Sequence, residues 1–280
     1  MHMNLQFISQ NLVQRGDEYI RNNGLDHFHH HAATLLKECR IAESFDLEET
    51  LKLGMRAEEL ATQNYKSFEF SDLPITISRG EFCFVDLYFW RRRPTTIHNH
   101  HFSGAFIGLL GKNVDLEFSF ESKRAIGKFH EWGELKLLQE RIISPGHVVS
   151  IAPLDGFIHQ NHHQSDLTVN LCFRTLDIKN ESLSGYLYSG LRHSKDPQLM
   201  MRVERLKRLL NFGPVDLASV GLDEAMAFLI QNYDSGISHP RFQELIASCQ
   251  EKIQAEAGLN LEELLQSHWK MIEDLEEQYE

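Results

Sequence analysis

Four cysteines in 280 residues, Cys39, Cys83, Cys172 and Cys249, stand far apart with no paired spacing. A disulfide framework is therefore excluded, and a reducing compartment is indicated. No run approaches the roughly 18 apolar residues of a membrane helix, and the opening MHMNLQFISQNLVQRGDEYI lacks a basic segment followed by an apolar one. These absences predict a cytoplasmic protein without membrane contact. Positive charge is also scarce: 28 Lys and Arg face 40 Asp and Glu, a formal net charge of -12. Such a surface attracts neither nucleic acid nor an anionic bilayer. Internal repeats and low-complexity stretches are absent. The remainder is ordinary for a globular chain, 42% apolar and 24% charged, and the length suits one large domain or one domain with an appendage.

Periodicity divides the chain into three. Residues 1–66 read as helical, with apolar residues recurring at three and four in LVQRGDEYI, AATLLKECRI and LKLGMRAEEL. Asp46 followed by Glu49 predicts a helix start, with the helix running to about Asn64. The tract His27, His29, His30 and His31 reads as solvated surface, and the whole segment as a lid or buttress. From about Phe68 the pattern becomes strands, and residues 67–192 form the second part. Phe82–Trp90 is a nearly continuous apolar run, as in a strand covered on both faces. Val114, Leu116, Phe118 and Phe120 alternate with Asp115, Glu117 and Ser119, which predicts a half-buried strand. Short strands at 148–152 and 168–174, separated by turn residues, complete the pattern of a closed sandwich or barrel. Residues 193–280 return to helix. Pro197 sits in a first turn, Gly213–Pro214 marks a stop, and the last helix runs from Leu261 to the end. The segment reads as a bundle packed on the barrel or against a second copy, without chemistry of its own.

Chemistry concentrates in TTIHNHHFSGAFIGLLG, Thr95–Gly111, where His98 and His100 are spaced by two and so share one face of a strand. A second stretch, Gly146–Asn161, carries a turn on Pro153 and Gly156 and then His159. Three neutral imidazoles suit iron, zinc, copper or nickel and leave coordination positions open. Without a carboxylate ligand the ion keeps its double charge, so an anionic substrate group can bind it directly. His101 points to the opposite face, and His162 and His163 read as surface residues beyond the strand.

His98-x-His100, Gly111, Gly146, Pro153, Gly156 and His159 resemble the two motifs of the cupin superfamily. The resemblance covers about residues 70–176 and implies a jelly-roll β-barrel, so the expected class is mainly β with helical extensions. Gly104 stands where the superfamily usually places a fourth, glutamate ligand. A three-histidine set without glutamate is similar to the cysteine dioxygenase group of thiol dioxygenases. The resemblance implies Fe(II), with zinc, nickel or manganese as alternatives, and dioxygen acting on a small anionic, thiol or amino-acid-derived substrate. It also implies that an arginine upstream holds the substrate carboxylate. Arg79 is the nearest match, with Arg91, Arg92 and Arg93 as competitors.

On a late strand, Cys172 and Arg174 occupy positions where that group has a histidine and a tyrosine, and Gly104 or Ala105 excludes its crosslinking cysteine. An inward Arg174 would either meet an acidic group on the substrate or pair with Asp86 or another acid. The alternative is a non-oxidative cupin, either a zinc enzyme activating water or a small-molecule-binding protein whose helical ends meet a partner, including a second copy.

Overall fold

In the computed structural model, which describes residues 5–56, 58, 60–63, 71–91, 94–179, 182–210, 219–232 and 240–279, strand alternation explains the layering. In β2 (Cys83–Arg91) and β9 (Leu167–Thr175), paired antiparallel in register Val85 to Phe173, the odd-numbered residues face outward and the even-numbered ones inward. The outward set, Cys83, Val85, Leu87, Val169, Leu171 and Phe173, joins one core with the N-terminal helices. Inward-facing Tyr88, Trp90 and Cys172 belong to a second core. This strand pair is thus buried on both sides, as the apolar run predicts.

The other strands are β1 (Leu73–Arg79), β3 (Ile97–His100), β4 (Gly104–Leu110), β5 (Asn113–Ala125), β6 (His130–Ile143), β7 (Val148–Ile151), β8 (Leu154–His163), β10 (Ser184–Tyr186) and β11 (Leu191–Ser194). One sheet has the order β1-β2-β9-β4-β7, and the other closes on itself as β10-β11-β6-β5-β8-β3. The eight strands β2 to β9 therefore divide as β2-β9-β4-β7 against β3-β8-β5-β6, which is a jelly roll. The fold is mainly β with helical extensions, as expected.

Helices α1 (Leu5–Asn23), α2 (Phe28–Glu38) and α3 (Leu47–Met55) precede the strands. The first two cover the outer face of the first sheet, so they act as a buttress. Asp17 of α1 fixes the approach, its carboxylate accepting from the backbone N–H groups of Glu81 (2.8 Å) and Phe82 (2.9 Å). Asp46 caps α3 as expected, accepting from Glu49 N at 3.0 Å. That helix ends at Met55 rather than near Asn64. Beyond it Gln63 pairs with the edge of β1, its amide oxygen accepting from Thr76 N (2.9 Å) and its nitrogen donating to Thr76 O (2.9 Å). Asn64, the boundary at 66–67, Phe68, Arg92, Arg93 and Gly213–Pro214 lie outside the described residues.

Helices α4 (Pro197–Leu209), α5 (Leu222–Asn232), α6 (Pro240–Ala257) and α7 (Leu261–Tyr279) follow. Pro197 is in the first turn of α4, and Asp196 caps it by accepting from Gln198 N and Leu199 N. These helices share a core of their own with Leu187 and Leu191 of the β-domain. Leu275 and Tyr279 of α7 pack against the apolar interior of the closed sheet, which contains Ile97, Val114, Leu116, Phe118, Ile158 and Tyr186. None of the described helices is long and apolar enough to cross a membrane.

Candidate metal centre

The alternation of β3 turns His98 and His100 to one side and Asn99 to the other, where Asn99 donates to Asp155 Oδ1 (2.9 Å) and accepts from Ser184 N (2.8 Å). The pairing with β8 sets His98 opposite His159 and His100 opposite Leu154, with a bulge between. Leu154 has a left-handed φ of 55°, and Gly156 N bonds back to Pro153 O at 3.2 Å. The Pro153–Gly156 turn thus supplies the bulge that brings His159 beside the other two. One ring nitrogen from each of the three lies within 4.8 Å of the others, and all three residues are buried.

The ring nitrogens are already sorted. Nδ1 of His98 is 2.7 Å from Thr96 O, which makes it the protonated nitrogen and leaves the lone pair on Nε2. Nδ1 of His159 meets the carboxylate of Asp115 at 2.6 Å. Nε2 of His159 and Nε2 of His100 are 3.0 Å apart, too close for both to carry protons. Burial, helped by neighbouring His159, holds His98 well below the usual histidine range, and burial followed by His98 and His159 does the same for His100. Three imidazoles that each bring one ring nitrogen to a common point are the arrangement a divalent transition metal requires.

Asp115 departs from the half-buried strand expected there. It is fully buried on the inner face of β5, because that face looks into the space between the sheets rather than into water. Behind it Arg141 closes to 2.8 Å from Oδ2 as an ion pair off the N–H axis, and Arg141 also contacts Glu117. A carboxylate behind a ligating histidine orients the ring and raises its basicity. Sequence reasoning missed Asp115 because its contact with His159 depends on the register between β5 and β8. His162 and His163 are likewise buried rather than on the surface, since β8 continues to His163. His163 stacks on Trp90 at 4.9 Å between ring centroids, and its Nδ1 lies 2.6 Å from Thr168 Oγ1.

The three histidines open onto a cavity of about 1400 Å³ between the sheets. Tyr88, Trp90, Phe102 and Phe106 form its aromatic wall, and Lys179, Lys195 and His193 are among its polar groups. Met200, Ile230 and Gln231 of α4 and α5 also line it, so the C-terminal helices form part of the cavity wall. Burial pushes the Cys172 thiol in this wall up to about 12, which keeps it protonated and unreactive.

Arg174 faces the cavity, buried, with its guanidinium between the rings of Phe84 (4.2 Å) and Phe102 (4.3 Å). Nη1 bonds Asp177 at 3.0 Å, and Nε lies 3.6 Å from Asp86, beyond hydrogen-bond length. Burial opposes this charge, but Tyr88, Asp86 and Asp177 outweigh it and raise the pKa further. Arg174 therefore meets protein acids, the second of its two expected fates. Asp177 also binds His101 Nε2 at 3.0 Å, which places His101 in the cavity wall. Arg79 does not line the cavity. It is exposed at the end of β1 with its guanidinium 5.6 Å from the centre of the Phe84 ring, because β1 is the outer strand of its sheet.

No known family's sequence profile matches the chain, and no curated protein sequence does. Among solved structures, it is similar to the DMSP lyase DddQ from Ruegeria pomeroyi, with 12% identity over 39% of this chain and 49% of that one and a TM-score of 0.28. It is also similar to a cupin-2 domain from Rhodospirillum rubrum, with 14% identity over 38% and 61% and a TM-score of 0.26. A third likeness is to the hydroquinone 1,2-dioxygenase from Sphingomonas sp. TTNP3, with 9% identity over 37% and 65% and a TM-score of 0.29. The matches span about half to two thirds of those chains. Likeness at this level assigns no activity.

A pH dependence of stability follows from two other histidines. Burial pushes His162 and His268 down to about 4, against about 6.5 in an unfolded chain. Above about pH 6.5 both states hold these rings neutral. As the pH falls from 6.5 toward 4 only the unfolded chain takes up their protons, so stability should fall by up to about 1.4 kcal/mol per pH unit for each ring. Urea midpoints measured between pH 4 and 8 should show this decline. It should be shallower after His162→Gln with His268→Gln, and an unchanged slope in that double variant would refute the assignment.

Proposed function

We propose that this chain is a metal-dependent oxidoreductase in which His98, His100 and His159 hold one divalent ion, Fe(II) first among the candidates. The observation that carries this reading is the convergence of three buried imidazoles on one cavity, two of them, His98 and His100, held neutral by burial, with no carboxylate among the three. A bound ion of this kind supplies open positions for dioxygen and for an anionic group of the substrate. The protein's own contribution is positional. Thr96 and Asp115 fix the ring orientations of His98 and His159. The aromatic wall offers apolar contact to a substrate, and Lys179 and Lys195 favour an anionic one.

The similarity to thiol dioxygenases suggests a small thiol or amino-acid-derived substrate, yet three features argue against free cysteine. Arg79 is outside the cavity, Arg174 is engaged by Asp177 and Asp86, and no tyrosine stands at position 172 or 174. With Arg174 held by protein acids, its burial no longer calls for a second acidic group on the substrate.

The test loads the full-length protein with iron under nitrogen and follows dioxygen uptake after addition of small thiol carboxylates. Uptake coupled to oxidised product is expected with at least one of them, and slower turnover with cysteine. Rapid cysteine turnover would restore the plain cysteine dioxygenase reading. Native protein that carries zinc at full occupancy and consumes no dioxygen with any thiol would replace the oxidative reading with that of a zinc enzyme.

A further inference from the structure

We propose that His27, His29 and His30 form a second metal site, separate from the cavity, for a late first-row divalent ion such as zinc. On sequence alone this tract reads as solvated surface. The structure brings the three rings together, with centroids 6.2 Å apart for His27 and His29, 6.0 Å for His27 and His30, and 4.1 Å for His29 and His30. One nitrogen from each lies within 4.8 Å of the others. His27 reaches this position through a left-handed backbone, φ 57°, at the residue before α2, a conformation uncommon for a side chain with a Cβ.

His31 is excluded from the group, since its ring stacks on Tyr19 at 4.1 Å. His29 is held from behind. Its backbone N–H donates to Ser103 Oγ at 3.0 Å, and its Nδ1 lies 3.4 Å from the same oxygen. Nε2 is thereby left as the coordinating nitrogen, the arrangement that ligating histidines usually show. Metal–nitrogen bonds of about 2.0–2.1 Å require the donors to draw closer than they stand. His27 and His30 are exposed, so rotation of their side chains can supply the movement, and water can complete the coordination. Imidazole donors select zinc, copper or nickel over magnesium or calcium.

The site has a structural consequence. Ser103 lies in the connection between β3 and β4, and its N–H is bonded to Thr175 Oγ1 at 3.2 Å. An ion on His29 would therefore pin the start of α2 to the segment that follows His100.

The experiment titrates chelator-stripped, full-length protein with Zn²⁺ by calorimetry. Two equivalents should bind. His27→Ala with His30→Ala should lose one equivalent and keep the other, while His159→Ala should lose the cavity equivalent and keep this one. Zinc should also raise the melting temperature of His159→Ala but not of a variant lacking all three substituted histidines. Two equivalents retained in His27→Ala with His30→Ala, or one equivalent in the wild type that His159→Ala removes, would overturn the proposal. So would weak, non-saturating uptake of equal size in both, the mark of an adventitious ion only. Because the two variants remove different equivalents, failure of this site is distinguishable from failure of the cavity site.

Discussion

Replacing His159 with alanine should empty the cavity site, lowering the metal held there from about one ion per chain to nearly none and leaving any ion on His27, His29 and His30 in place. His159 is central to the cluster: its Nε2 stands 3.0 Å from that of His100 and its Nδ1 is 2.6 Å from Asp115. Two donors would remain, and the buried carboxylate of Asp115 would lose its imidazole partner and keep only Arg141. Asp115→Asn offers the graded comparison. It keeps the shape of the side chain but removes its charge, and should weaken metal affinity by about 10–100-fold, the usual effect of losing such a supporting group. Elemental analysis and competition with a chelator give both values. Full occupancy in His159→Ala would remove this residue from the site, and unchanged affinity in Asp115→Asn would reduce the carboxylate to a packing role.

Gly104→Glu, which would place a carboxylate where the cupin motif usually has one, should destabilise the protein instead of adding a ligand. A Cβ built at Gly104 would lie 2.5 Å from Phe173 O and 2.8 Å from Arg174 Cα, both backbone atoms of the neighbouring strand β9. Neither can yield without shifting the β4–β9 pairing, in which Gly104 is directly opposite Arg174. A glutamate would also bring a third acid to a region where Asp86 and Asp177 already face Arg174. Overpacking and an uncompensated buried charge together should cost about 3 kcal/mol or more. That is a large part of the 5–15 kcal/mol typical of a domain. Gly104→Ala should show the steric part alone. Wild-type stability in Gly104→Glu, measured by urea denaturation, would show that β9 can give way and that the glycine is not required by packing.

The elements whose signals are local were legible in the sequence. Strand β2 was marked by a continuous apolar run, α3 by Asp46 and Glu49, α4 by Pro197, and the shared face of His98 and His100 by their spacing of two. Each depends on residues within a few positions of one another, where backbone geometry dictates which side chains point together. His159 was readable as a candidate through the turn residues Pro153 and Gly156, though its approach to the other two depends on the bulge against β3. What the sequence alone determined is therefore the β-domain with helical ends and the identity of the three converging histidines.

Tertiary structure decided the rest, because the deciding contacts join residues far apart in the chain. Asp115 is 44 positions from His159, and only the β5–β8 register shows that an apparently solvated acid supports a histidine of the cluster. The same period of two describes a strand with one face in water and a strand whose polar face looks into a buried site, so periodicity cannot separate them. Strand order placed Arg79 outside the cavity and Arg174 within it, and Arg174 then met the acids on its own wall. The packing of the C-terminal helices set Met200 of α4 and Ile230 and Gln231 of α5 in the cavity wall, although their sequence shows only the amphipathic pattern common to helices that cover a core.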